Sequence, residues 1–443
     1  LKPSLKTLVG DFIGEWAESQ ARLNDAIKRK DLGSFEFDIL PGPIDQPRSI
    51  SRAGSRLLEE SADALLKQTR MQLKLSRKAG RVALVDALFA QLPKAKKTGQ
   101  MSEDAVIKRA VERLRAWPRD DGLYVFPISF APLAKRTSFW VGPLRIVSKT
   151  VFLRENRAAL RRLAEGVRSK ATSDWRRHLR AYDHVVVVDI TGFEREMAWE
   201  AGRDAVEFLL NLIRMLFPFW QTSRIRVGGG FVWETLRSAL VLGSDGVSHL
   251  TTAYGPWGTH LEDSWTDEFD QNFWRFQTLL GSFAYWLIDG EHADDPTFER
   301  LRYANRLLAE AYCEPNDQIR LVRMVSALEA LSLLDGADKA HQLARRCACV
   351  AGSGDPARAI EVYDAVREAY RWRSAVVHGD APSVDDVRAS FLALEGQLLE
   401  IYLGYLVFFA ALNRGGRIQS VNALRRAFKA KIDLFYWDSD LID

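Results

Sequence analysis

From Pro315 onward the strand-forming pattern stops, and apolar residues recur at every third or fourth position as far as Gly415. Asp317 can cap a first helix whose stripe runs Val322, Val325, Leu328, Leu331 and Leu334 before Gly336 ends it. A second segment, about Asp338 to Val350, closes at Gly352. Pro356 opens a third, with Ile360, Tyr363, Val366, Tyr370 and Val377 on one face, and Gly379 offers a left-handed cap. Ser383 and Asp386 make a capping-box-like start to the fourth, which carries Leu394, Leu398 and Ile401. Such a short run of amphipathic helices can bury its faces only against one another, so the spacing predicts a four-helix bundle.

Upstream the pattern is mixed. Leu5, Leu8, Phe12, Trp16 and Leu23 stand near helical spacing over residues 1 to about 33, and Phe35-Glu36-Phe37-Asp38-Ile39 alternates as a short strand before Pro41-Gly42-Pro43. Helical patterns resume from Ser55 to Ala90, and Lys94 to Gln100 reads as a basic exposed link. Leu123-Tyr124-Val125-Phe126, Ser138-Phe139-Trp140-Val141 and Leu144-Arg145-Ile146-Val147 are strand-like, an Arg-rich helix follows to about Tyr182, and Val185-Val186-Val187-Val188 reads as a buried strand. Met197 to Phe217 then forms an amphipathic helix. The expected class is α+β: a mainly helical region over 1–120, a mixed α/β region over 121–295, the all-α bundle over 315–415 and a tail over 416–443.

A length of 443 residues exceeds the growth range of a single hydrophobic core, so two or three domains are expected. Apolar residues at 47% against 27% charged match a soluble globular chain and exclude a disordered one. No apolar run reaches the roughly 18 residues that span a bilayer; Ile401 to Leu412 reads as a buried helix. Cys313, Cys347 and Cys349 are too few for a disulfide framework. Leu1-Lys2-Pro3-Ser4 carries no signal-peptide pattern, and the expected location is cytoplasmic, with no membrane partner. Charge is segregated. Basic residues dominate Lys74 to Lys97 and Arg154 to Arg180, whereas Glu262 to Glu299 holds ten acids against Arg275 alone. Such basic stretches are either solvated helix faces or tracks for a nucleic-acid backbone.

The third C-terminal helix carries the chemistry, in Tyr370-Arg371-Trp372-Arg373-Ser374-Ala375-Val376-Val377-His378-Gly379. Arginine stays cationic and can hold a phosphate; histidine exchanges protons near neutrality and can serve a ribose 2′-hydroxyl. Val366, Tyr370, Arg373 and Val377 are spaced four, three and four, so Arg373 falls on the apolar stripe and needs a partner, for which Glu329 is the internal candidate. On an ideal helix five positions separate side chains by about 140° and seven by about 20°, so Arg371 shares a face with His378 better than Arg373 does. Arg373 joins His378 only where the helix unwinds near Val377. Otherwise Arg373 pairs with Glu329, and His378 caps the helix end.

Ile319-Arg320-Leu321-Val322, Ala327-Leu328-Glu329-Ala330-Leu331, Leu343-Ala344-Arg345-Arg346, Tyr370-Arg371-Trp372-Arg373-Ser374 and Val377-His378-Gly379, in this order, resemble an Apea-like HEPN domain. The resemblance covers about Pro315 to Leu412. It implies a homodimer through the bundle with the two Arg-to-His motifs facing each other, and a metal-independent RNA endonuclease that requires no cofactor. By that resemblance Arg373 binds the scissile phosphate and His378 acts as general base or acid, supported by Arg371, Ser374, Glu329 and Tyr370, leaving a 2′,3′-cyclic phosphate and a 5′-hydroxyl. Ser374 stands where many active members carry an amide or acid. Asp380 stands where the AMPylated toxins carry tyrosine. Members often serve defence against phage or act as toxins, which implies a trigger read by the N-terminal region. The alternative is a catalytically silent HEPN module in a nucleic-acid- or nucleotide-binding protein.

Other motifs are weaker. Cys347, Cys349, His341 and Cys313 lack zinc spacing, Gly228-Gly229-Gly230 lacks the Lys-Ser/Thr of a phosphate loop, and Asp189-Ile190-Thr191-Gly192 lacks a second glycine. The aromatic-rich stretch from Phe217 to Trp286 reads as core before it reads as a base-stacking surface.

Overall fold

Apolar residues, alternating along Ser138–Val141 and nearly continuous along His184–Ile190, bury one or both faces of these segments and of Leu144–Ser148 and make them neighbours in the largest sheet. The structure is a computed structural model that describes residues 3–29, 37–39, 49–98, 101–129, 137–165, 179–180, 182–222, 225–228, 236–243, 246–253, 261–262, 264–292, 295–333, 338–352, 355–380, 382–414, 418 and 420–433. The fold is α+β, mostly helical with a small antiparallel sheet, and divides into two compact units. Phe35, Glu36, Pro41 to Pro43, residues 166–178 of the Arg-rich stretch, Gly229, Gly230, Phe231, Trp233, Tyr254, Trp257, Gly336 and Gly415 lie outside the described residues.

The first unit comprises residues 1–122 with 190–201 and 289–293. Helices α1 (Leu5–Arg29), α2 (Arg52–Gln68), α3 (Arg77–Thr98) and α4 (Glu103–Arg115) bury Val9, Phe12, Leu58, Leu65, Leu84, Leu88, Val106 and Leu114 in one core. Strands β1 (Phe37–Ile39) and β2 (Ser49–Ser51) pair antiparallel, and Ser51 then caps α2 by accepting from the Gly54 N–H. The expected link at Lys94 is corrected: α3 runs through Pro93 to Thr98, its lysines being good helix formers.

In the second unit the sheet runs β4 (Ser138–Val141), β5 (Leu144–Ser148), β6 (His184–Ile190), β3 (Gly122–Ser129), β7 (Arg226–Val227). After β5 come α5 (Lys149–Glu155) and α6 (Arg157–Glu165); after β6 come α7 (Arg195–Leu216) and the short α8 (Phe219–Thr222). Strands β8 (Leu236–Gly243) and β9 (Gly246–Ala253) form a separate antiparallel hairpin. Helices α9 (Trp265–Phe273) and α10 (Gln277–Asp289) bury Trp265, Phe269, Phe273 and Phe283, so these aromatics are core. Gly142, at φ 54°, closes the β4–β5 turn against α10, where an added Cβ would meet the Gly281 Cα at 2.6 Å.

Helix α7 carries a polar stripe that its apolar neighbours conceal. Asp204, Glu207, Asn211 and Arg214 stand at i, i+3, i+7 and i+10, and all four are buried. Asp204 accepts from Arg306 (2.6 and 2.8 Å) and Arg302 (2.5 Å) on α11 (Pro296–Cys313). Asn211 donates to the Asn305 amide oxygen at 2.7 Å and to its backbone carbonyl at 2.9 Å, while Asn305 donates back to the Asp204 carbonyl at 3.0 Å. Fully buried Arg214 donates to Glu207, Asn211 and the Ile225 carbonyl. Each charge along the seam therefore has an opposite charge or carbonyl to offset its desolvation.

Helix α11 packs on α12 (Asp317–Ser332), and α12 packs with α13 (Lys339–Ala351), α14 (Pro356–His378) and α15 (Val384–Arg414). Asn316, rather than Asp317, caps α12, because its carboxamide accepts from the Gln318 and Ile319 N–H groups. The buried face of α14 is Ala359, Val362, Tyr363, Val366 and Ala369; Val377, expected on that face, is exposed. At 31 residues α15 is long and apolar enough to cross a membrane by length and composition, and it buries Phe391, Leu394, Leu398, Ile401, Tyr402 and Tyr405 within this unit. The stretch read as a tail holds α16 (Val421–Asp433), whose Leu424 and Phe428 are buried.

On α12, Arg320 is stacked between Phe219 (3.5 Å) and Phe391 (4.9 Å). Beside it the Glu395 carboxyl on α15 is pushed up to about 7, chiefly by burial, against a backbone hydrogen bond from Phe219 and the Arg320 charge. A native carboxyl that keeps its proton above the unfolded value of 4.5 makes stability fall as pH rises from about 4.5 to about 7. Glu395→Gln removes that loss, so its advantage over wild type in urea unfolding should grow by about 1–2 kcal/mol between pH 5 and pH 8, after discounting for partial exposure. An advantage independent of pH would contradict it. Asp204→Ala strands two arginines and should cost about 3 kcal/mol at pH 7 by urea unfolding; an unchanged midpoint would show that the seam contributes nothing.

Candidate active site

Helix α14 is continuous to its last residue. Asp355 caps its start by accepting from Ala357 and Arg358, Pro356 occupies the first turn, and the C-terminus closes with Gly379 at φ 86°. The Gly379 N–H donates to the Val376 carbonyl at 3.2 Å and the Asp380 N–H to the Ala375 carbonyl at 3.0 Å, the Schellman arrangement. No unwinding occurs at Val377, which is the condition under which Arg373 would turn towards His378.

With the helix intact, its side chains divide by face. Arg367, Arg371, Ser374 and His378 stand at i, i+4, i+7 and i+11, within about 60° of arc on an ideal helix. All four line one open cleft of about 830 Å³, together with Asp364, Glu368, Tyr370, Ala375, Asp380 and Ala340 at the start of α13. Arg371 is exposed, stacks 4.5 Å from the Trp372 ring and pairs with Glu368 at 2.5 Å; the Trp372 indole N–H donates to the same carboxylate at 2.7 Å. His378 is exposed at the helix C-terminus, where the helix dipole favours a cation.

Arg373 lies elsewhere. It continues the buried stripe after Ala369, and its guanidinium donates to the Glu329 carboxylate on α12 at 3.1 Å while sitting 5.6 Å from the Tyr370 ring. Both partners are about four-fifths buried, and the Arg373 Nε is buried with no hydrogen-bond partner. Burial, reinforced by the Glu329 charge, pushes the Tyr370 hydroxyl up. The Arg373–Glu329 pair expected from the stripe is thus present and joins α12 to α14. The cleft residues that sequence reasoning missed are Asp364, Glu368 and Asp380; Glu368 was legible as the acid three positions before Arg371.

Among the described residues, the other candidate nucleophiles and ligands of the sequence are not brought together. Burial pushes the Cys347 thiol up to about 12, which keeps it protonated and inert at neutral pH. Among the described residues no group of three or more His, Cys, Asp or Glu side chains is arranged to hold a metal ion. The Gly192 N–H, a possible phosphate donor from its sequence, is taken by Asp121 at 2.6 Å.

The cleft can hold an oxyanion between Arg367 and Arg371 and present it to the imidazole of His378. Three carboxylates on its rim oppose an anion, so a phosphate must displace Glu368 from Arg371 to gain a charge-assisted hydrogen bond. Comparison with known proteins leaves this geometry to stand alone: no family model, no curated protein and no solved structure matches the chain.

Proposed function

We propose that the C-terminal helices are a HEPN-type bundle and that the protein is a metal-independent RNA endonuclease working as a homodimer. The observation that carries this reading is the stripe Arg367, Arg371, Ser374 and His378 along one open cleft, in a helix whose sequence resembles the HEPN motif. Arg371 takes the role of phosphate ligand, aided by Arg367, since Arg373 is held by Glu329. His378 moves the proton of the ribose 2′-hydroxyl. The oxygen attacks the adjacent phosphorus, the 5′-oxygen leaves with a proton, and the products are a 2′,3′-cyclic phosphate and a 5′-hydroxyl. A second histidine, from the partner copy across a two-fold axis, supplies the complementary acid or base. The N-terminal region serves to sense a trigger, in a cytoplasmic defence or toxin role.

A silent bundle used for dimerisation is the second reading, and it is favoured by the engagement of both motif arginines with acids, Arg371 with Glu368 and Arg373 with Glu329. Labelled RNA incubated in EDTA with wild type, Arg371→Ala and His378→Ala separates the two. The nuclease reading expects cleavage by wild type, a 2′,3′-cyclic phosphate end, and losses of about 10²-fold or more in each variant. Equal cleavage by all three proteins would remove the site. No cleavage by wild type, with or without activating partners, would favour the silent module.

A further inference from the structure

The basic stretch after β5 forms a surface unrelated to the α14 cleft. Strand β4 is the edge of the five-stranded sheet, and its alternation sends Phe139 onto Trp265 (5.2 Å) and Phe269 (5.0 Å) while Trp140 faces the other way, 58% exposed. A single exposed aromatic is ordinary, but this one is held in place. Arg145, its cross-strand partner on β5, stacks 5.4 Å from the Trp140 ring. Glu155, at the end of α5, fixes that guanidinium with two hydrogen bonds of 2.7 and 2.9 Å, and the pairing holds the Glu155 carboxyl below its ordinary range.

Glu155 accepts both hydrogen bonds from Arg145, and its charge also acts on the neighbouring Arg154. Arg154 lies near the end of α5, and Arg157 and Arg161 lie on α6, after a turn at Asn156 (φ −101°, ψ 15°) that closes α5. All three are exposed, and none forms an ion pair with a described residue. They follow in the chain directly from the Arg145–Glu155 clamp that orients the indole, one before Glu155 and two on the next helix.

We infer that Trp140 with Arg154, Arg157 and Arg161 is a binding surface for single-stranded nucleic acid, in which a base stacks on the clamped indole and the phosphates meet the exposed arginines. Stacking accepts any base, and three exposed arginines match an anionic strand, so the surface binds without sequence preference. Duplex is a poor ligand because its bases are already stacked. The inference stands independently of the catalytic reading, since it uses no residue of the cleft.

The test is fluorescence anisotropy in EDTA with a labelled oligouridylate of about 15 nucleotides and the full chain carrying His378→Ala, so that binding is read without cleavage. On that background Trp140→Ala should weaken binding about tenfold, and Trp140→Phe much less. The triple change of Arg154, Arg157 and Arg161 to Gln should weaken it at least about tenfold and flatten the slope of log K against log salt by about 2. Both variants change exposed side chains, and unchanged melting curves will show that they fold. Parallel losses with oligothymidylate would assign the surface to single strands of either sugar, and losses with RNA alone would assign it to RNA; both support the inference. Wild-type affinity in both variants, or a duplex bound as tightly as the single strand, would overturn it.

Discussion

The buried seam between α7 and α11 fixes where the C-terminal helices stand. Its carboxylate, Asp204, has two guanidinium partners, and its amides, Asn211 and Asn305, exchange hydrogen bonds in both directions. A shift of one helical turn would leave Asp204 buried without its guanidinium partners, and breaking such a pair costs about 3–5 kcal/mol, a large part of the stability of any domain. Apolar contacts tolerate sliding; this polar register does not. Helix α11 passes the register to α12, and α12 carries Glu329, the acid that receives Arg373 of α14.

That dependence gives α14 two faces with different duties. On the inner face Arg373 and Glu329 neutralise each other where water is scarce, so the pair sets the rotation of the helix. Rotation in turn decides which side chains reach the cleft, and it is Arg367, Arg371, Ser374 and His378 that do. An arginine serves catalysis best where it can exchange a weak partner for a phosphate. Arg371, exposed and bound to Glu368 on its own helix, is in that position, because an exposed i,i+3 pair is worth only a few tenths of a kcal/mol. Arg373 would have to abandon a buried carboxylate to do the same.

Much of this architecture was legible in the residues. Periodicity located the strands around Phe126, Val141, Val147 and Val187 and all four C-terminal helices, because each has a long one-sided pattern and a capping residue. Placing Arg373 on the apolar stripe foretold its pairing with Glu329, and helix geometry foretold that Arg371 and His378 share a face. The seam was hidden because Asp204, Glu207, Asn211 and Arg214 look like the solvated side of an amphipathic helix until α11 covers them. Pro93 and its lysines suggested a link where the helix continues, since proline and charge mark breaks only on average. The hairpin of β8 and β9 has no strong alternation to announce it. Trp140 was read only as part of a strand: its exposure follows from β4 lying at a sheet edge, a property of strand order that local pattern does not encode.

The most direct test of the division between the two faces is a charge swap, Glu329→Arg together with Arg373→Glu, assayed for both melting temperature and RNA cleavage in EDTA. On the proposed reading, in which the pair is structural and Arg371 holds the phosphate, the swap restores most of the stability lost by either single change and leaves cleavage within a few-fold of wild type. A swapped protein that melts like wild type but has lost cleavage would show that position 373 itself holds the phosphate.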